Sequence, residues 1–168
     1  MPLQRSSGGQ WPWRVVLAAG IVAGTIDIGA AALINWASPA LILRFVAGGI
    51  LGKTALEGGA GVALLGYALQ IVMSLIIAVI YVDAARRLAA LRRRWIAAGL
   101  AFGVAVFAVM NYVVLPLSAW SRLPHFTVAS FAWNMLAMVA FGVTITWFAR
   151  NVDGHGTDAD AVRRDGSV

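Results

Sequence analysis

One carboxyl and three amides, each from a different apolar run, are the side chains best placed to do chemistry in this sequence: Asp27, Gln70, Asn111 and Asn134. A rise of 1.5 Å per helical residue, counted from the basic edge of each run, puts all four about 20–26 Å along their helices, within about two turns of one another. An ionisable residue inside hydrocarbon points to proton or cation handling, and amides point to helix pairing through hydrogen bonds. No Lys, Arg or His lies inside any run to neutralise Asp27, so the charges able to fold over it are Arg44, Lys53 and Glu57 in the segment after the first run.

Small and polar residues recur about every four positions in each run. The rows are Gly20, Gly24, Asp27, Ala31, Asn35; Gly66, Gln70, Ser74, Ala78; Gly99, Gly103, Asn111; and Ser130, Asn134, Met138, Gly142, Thr146. Lipid tails give helices no hydrophobic reason to associate, so spans meet where small residues let backbones approach and polar groups find partners. Gly20, Gly24, Gly99 and Gly103 are therefore expected at helix contacts. If Asp27 served a carrier or channel, four helices would make too thin a wall, and a homo-oligomer meeting through the Gly20 or Gly99 face would be required.

The elements that must position these residues follow from composition. The 168 residues are 61% hydrophobic and 12% charged, with a mean hydropathy of +0.82, against about 25% charged in an ordinary soluble domain. The expected fold is all-α, an integral membrane bundle of four transmembrane helices over residues 13–150, with spans at about 14–36, 61–82, 95–115 and 128–148. Residues 1–12 and 151–168 are polar and are expected to be disordered. Asp27 and the length of the first run argue for a retained helix over a cleaved signal peptide.

Ser38-Pro39 is a helix-start pair, and the run Ala40 to Leu51 is too short to span, so a short outer interfacial helix or re-entrant segment is expected there. Thr54 and Glu57 have capping-box spacing ahead of the second span. Pro116 is expected to end the third span near Leu115.

Orientation follows from the basic residues: ten of the thirteen fall on the side shared by the N-terminus, the middle loop and the tail, and only Arg44, Lys53 and Arg122 fall on the other. The positive-inside rule puts both termini in the cytoplasm. The basic cluster of Arg86, Arg87, Arg92, Arg93 and Arg94 is then a cytoplasmic loop, and nucleic acid is not an expected partner; the lipid bilayer is.

Enzyme chemistry is not expected. There is no cysteine, which excludes thiol nucleophiles, thiolate ligands and disulfides. His125 and His155 lie outside the spans without the neighbours catalysis needs. The tail stretch from Asp153 to Asp160 lacks the spacing of a calcium loop, and Gly48-Gly49 and Gly58-Gly59 are not followed by the Lys-Ser/Thr of a phosphate loop. No cofactor or metal is expected.

Gly24-Thr25-x-Asp27, Leu56-Glu57-Gly58-Gly59 and Met110-Asn-Tyr-Val-Val-Leu-Pro-Leu-Ser118 together resemble a group of small uncharacterised bacterial four-helix inner-membrane proteins, over about residues 14–149. In layout the chain is more distantly similar to the YagU-like inner-membrane proteins. The resemblance implies a multi-pass bacterial inner-membrane protein and carries no activity with it. Where relatives imply a histidine in the second span this chain has Gln70, which speaks against a proton relay from that position to Asp27. A binding or scaffold protein is the first expectation, and a small proton- or cation-linked carrier or channel using Asp27 is the alternative.

Overall fold

The structure, a computed structural model, describes residues 11–121 and 127–152. The readings of residues 1–10, of Arg122 and His125, and of the tail from residue 153 with His155 lie outside the described residues. Among the described residues the secondary structure is entirely helical. Five helices are long and apolar enough to cross a membrane: Trp13–Ile34, Pro39–Glu57, Ala60–Arg87, Trp95–Leu117 and Val128–Ala149. We label Trp13–Ile34 α1, Pro39–Leu51 α2, Ala60–Arg87 α3, Ala89–Arg93 α4, Trp95–Leu117 α5 and Val128–Ala149 α6.

The segment after α1 is more helical than its sequence suggests. Ser38 caps α2 by accepting the Leu41 N–H on its hydroxyl, with Pro39 in the first turn, as the sequence pair predicts. Beyond Leu51 the chain continues as a six-residue 3-10 helix, Gly52–Glu57, which brings the apolar helical stretch to 19 residues. The two pieces join at Gly52, whose φ of +71° is left-handed and is readily adopted only without a Cβ. The α-helical piece alone rises about 20 Å, short of the roughly 30 Å of a hydrocarbon core. The Thr54–Glu57 capping box does not form: the Thr54 hydroxyl donates to the Leu51 carbonyl, and α3 starts later, with Gly59 at its cap position.

Two spans run past their expected ends. α3 continues to Arg87 because its last turn packs: Val82 and Ala85 are fully buried, Arg86 is 8% exposed, and Arg92 donates to the Ala85 carbonyl that the helix leaves without an internal partner. α5 passes Pro116 to reach Leu117 through a π-helical turn, Met110–Val114. Proline has no N–H and its ring crowds the carbonyl four residues back, here Tyr112; the wider turn just before it makes room without breaking the rod.

Helix neighbours run in the order α5, α6, α1, α3, α2, and the close contacts fall at small residues. A Cβ on Gly20 would lie 2.7 Å from a Leu75 methyl, and one on Gly24 would lie 2.6 Å from the Ser74 hydroxyl. Gly142 sits against the backbones of Gly99 and Gly103. Gly66 abuts the Leu43 carbonyl, which joins α3 to α2. The glycine faces of α1 and α5 are thus occupied within one chain. The core lies between α1, α3, α5 and α6, with Val16, Tyr81, Val82, Phe141 and Ile145 among its buried members.

Candidate functional site

α1 and α3 run antiparallel, and the closeness allowed by Gly20 and Gly24 brings the next polar residues on the same faces together. Gln70 Nε2 donates to Asp27 Oδ2 at 2.7 Å, a charge-assisted length if the carboxyl is ionised. The bond is half-buried, and it ties together two helices 43 residues apart in sequence.

The other two amides are bonded differently. Asn111 Nδ2 donates to the Phe107 carbonyl at 2.9 Å, and Asn134 Nδ2 donates to the Ser130 carbonyl at 2.8 Å; both acceptors are one turn back on the same helix. Asn35 does the same with Ala31. One N–H of each amide is thereby bonded locally, which favours a polar group in an apolar surrounding. Of the four residues singled out, the structure joins Asp27 with Gln70 and leaves Asn111 and Asn134 bonded along their own helices.

The charges of the α2 region do not close over Asp27. Among the described residues the one ion pair is Asp83–Arg87 at 2.9 Å, within the last turns of α3. Lys53 and Glu57 are exposed. Arg44 is half-buried, on the same face of α2 as buried Ala47 and Gly48, and its Nε is buried without a hydrogen-bond partner.

Two features have little trace in the sequence. The first is a clasp between the end of α5 and the middle of α2. The Trp120 ring stacks on Phe45 at 4.6 Å between centroids, its indole N–H donates to the Phe45 carbonyl at 3.1 Å, and the Ala119 N–H donates to the Gly49 carbonyl at 2.8 Å. Gly48 lies directly under the indole and leaves it room. A lone tryptophan in a loop gives no sign of a partner 75 residues away.

The second feature is an apolar cleft between α3 and α5. A cavity of about 480 Å³ is lined by Phe45, Gly49, Leu69, Met73, Met110 and Trp120 among others, and one of about 320 Å³ by Met73, Ile76, Ile80, Phe102, Ala105 and Met110 among others. The two share Met73, Met110 and Val114, so they form one groove running down the α3–α5 seam. A third cavity of about 450 Å³ lies between α1 and α6, beside Trp36 and Trp133.

At the end where α3 turns into α5, arginines pack on aromatic faces. The Arg86 guanidinium lies 5.0 Å from the centre of the Trp11 ring, and Arg150 lies 5.6 Å from Trp95 and 4.9 Å from Trp147. No known family, curated protein or solved structure matches the chain.

Proposed function

We propose that this chain is a multi-pass membrane protein of the binding or scaffold kind, in which the Asp27–Gln70 pair fastens α1 to α3. The observation that carries the reading is where the polar groups bond: Asp27 is bonded to Gln70 across two helices, while Asn111 and Asn134 donate to their own. Only the Gln70 amide of these three links two helices, and the set presents no relay of facing groups for a moving proton.

In this reading α1, α3, α5 and α6 cross the bilayer and α2 lies in its outer half, leaning on α3 and held by Trp120. The excess of arginine at the α3–α5 turn places that end, with both termini, in the cytoplasm. A bacterial inner membrane is the setting that the resemblance of the Gly24–Asp27 and Met110–Ser118 segments favours. A carrier role for Asp27 is the second reading, favoured by one observation: Oδ1 accepts no hydrogen bond among the described residues, which leaves the carboxyl one oxygen for a proton or ion.

One reconstitution separates the two. The purified protein is placed in vesicles containing a pH dye, and a pH step or membrane potential is imposed. The scaffold reading expects no proton flux from wild type or Asp27→Asn. Flux in wild type that is lost in Asp27→Asn would overturn it in favour of the carrier. Reporters fused after Arg94 and near Lys53 should report opposite sides of the membrane, cytoplasmic for Arg94; the same side for both would refute the orientation.

A further inference from the structure

The α3–α5 groove is open from Leu69 to Ile80 and is closed beyond Ile80 by Tyr81 against Phe102, 4.8 Å between ring centres, and its two ends are unlike. At one end the clasp roofs it, with Trp120 on Phe45 and Ala119 bonded to Gly49. At the other end its two walls are joined by the segment with the densest positive charge in the chain, Arg86 to Arg94.

Helix geometry aligns that charge with the groove. Steps of seven residues keep one helix face, so Met73, Ile80 and Arg87 lie in a row on α3, and Trp95, Phe102 and Val109 lie in a row on α5. Arg87 is 70% exposed and, among the described residues, pairs with Asp83 on its own helix, a contact of small energetic weight. Arg93 and Arg94 are exposed and make no side-chain hydrogen bond or ion pair among the described residues. From Ile80 to Leu69 the groove extends about 16 Å along α3, close to the half-thickness of a hydrocarbon core of about 30 Å.

We propose that the groove holds one acyl chain of an anionic glycerophospholipid, with its headgroup phosphate at Arg87, Arg93 and Arg94. The apolar lining matches the chain, the arginines match the phosphate, and the roof at the far end limits the occupant to the leaflet on the arginine side. Basic sites between spanning helices on the cytoplasmic side are suited to such headgroups. Which leaflet this is rests on the orientation proposed above; binding does not, so the test below can fail while the topology stands, and the reverse.

The test is native mass spectrometry of the detergent-solubilised full chain titrated with palmitoyl-oleoyl phosphatidylglycerol or the matching phosphatidylcholine. Wild type should retain one phosphatidylglycerol at least tenfold more readily than phosphatidylcholine, given about fivefold per arginine near a phosphate. Arg87→Gln, Arg93→Gln and Arg94→Gln together should bring the ratio near one. Ala105→Trp and Ile76→Trp fill the groove from opposite walls and should abolish retention, while Leu100→Trp, on an exposed position of α5 outside the groove, should leave it unchanged. Equal retention of the two lipids by wild type, or undiminished retention by a groove-filling variant of normal helicity, would overturn the proposal. If both filling variants fail to fold, the arginine variant still decides, because an unchanged lipid preference there would overturn it.

Discussion

Gly142→Leu should break the α5–α6 seam, and the size of the effect follows from what surrounds that residue. A Cβ there would lie 2.6 Å from Gly103 N and 2.6 Å from Gly99 O, so it meets backbone on two sides and no flexible side chain that could swing away. The two helices would have to separate, at the cost of about 3 kcal/mol found for overpacking a tight core. Leucine offsets about 1 kcal/mol of this through its better helix propensity. Gly29→Leu isolates that gain, because nothing lies within 4 Å of a Cβ on Gly29. The two variants should therefore differ by about 3 kcal/mol, on the order of a hundredfold in the folded-to-unfolded ratio. The assay is reversible unfolding in mixed micelles of increasing SDS fraction, followed by circular dichroism. A difference below about 1 kcal/mol would refute the claim that the glycine seam sets the α5–α6 distance.

Three other perturbations test separate parts of the molecule. Trp120→Ala removes the stack on Phe45 and the bond to its carbonyl; amide exchange at Phe45–Leu51 should accelerate while α6 is unaffected, and equal acceleration in both would mean that the clasp does not act locally. Asp27→Asn should stay within about 1 kcal/mol of wild type because an amide can still pair with Gln70, whereas Asp27→Leu should lose about 0.6–2 kcal/mol; a loss of folded protein in the Asn variant would show that the charge itself is held. Arg86→Ala strips a buried guanidinium from the Trp11 face and should cost about 2 kcal/mol, against less than about 1 kcal/mol for Arg87→Ala; equal losses in the SDS titration would count against the stack.

The all-helical class and the approximate places of the long apolar runs were legible because they depend on length and composition. Asp27 and Gln70 were legible as residues of similar depth, because counting 1.5 Å per residue along a helix fixes depth, but not as a bonded pair distinct from Asn111 and Asn134. Facing is harder to read than depth, which is why the same count grouped Asn111 and Asn134 with them. Each amide had a carbonyl one turn back within reach, and a local acceptor requires no particular orientation of the neighbouring helix. The end of α5 shows a similar limit: Pro116 reads as a stop in an ideal α-helix, and the π-helical turn before it removes the clash that made it one. The stretch from Pro39 to Glu57 read as a short helix because its α-helical part is short; the 3-10 continuation after Gly52 has no periodic signature of its own.

The groove follows from the same rule that closes the other seams. Where α1 meets α3 the facing residues include Gly20, Gly24 and Ser74; where α5 meets α6 they are Gly99, Gly103 and Gly142; where α3 meets α2 Gly66 lies against backbone. On the α3–α5 seam the walls present Met73, Ile76, Ile77 and Ile80 to Phe102, Val106, Val109 and Met110. Side chains of that bulk hold two helices apart, and no interhelical hydrogen bond among the described residues draws these walls together. Within lipid there is no hydrophobic gain from closing an apolar gap, because a tail in the groove is as good a neighbour as an isoleucine. The seam therefore stays open for a reason written in its residues. Replacing Ile76 and Ile80 with glycine would supply the missing small-residue row and, by this argument, narrow the groove, which would appear as lost lipid retention without any change at the arginines.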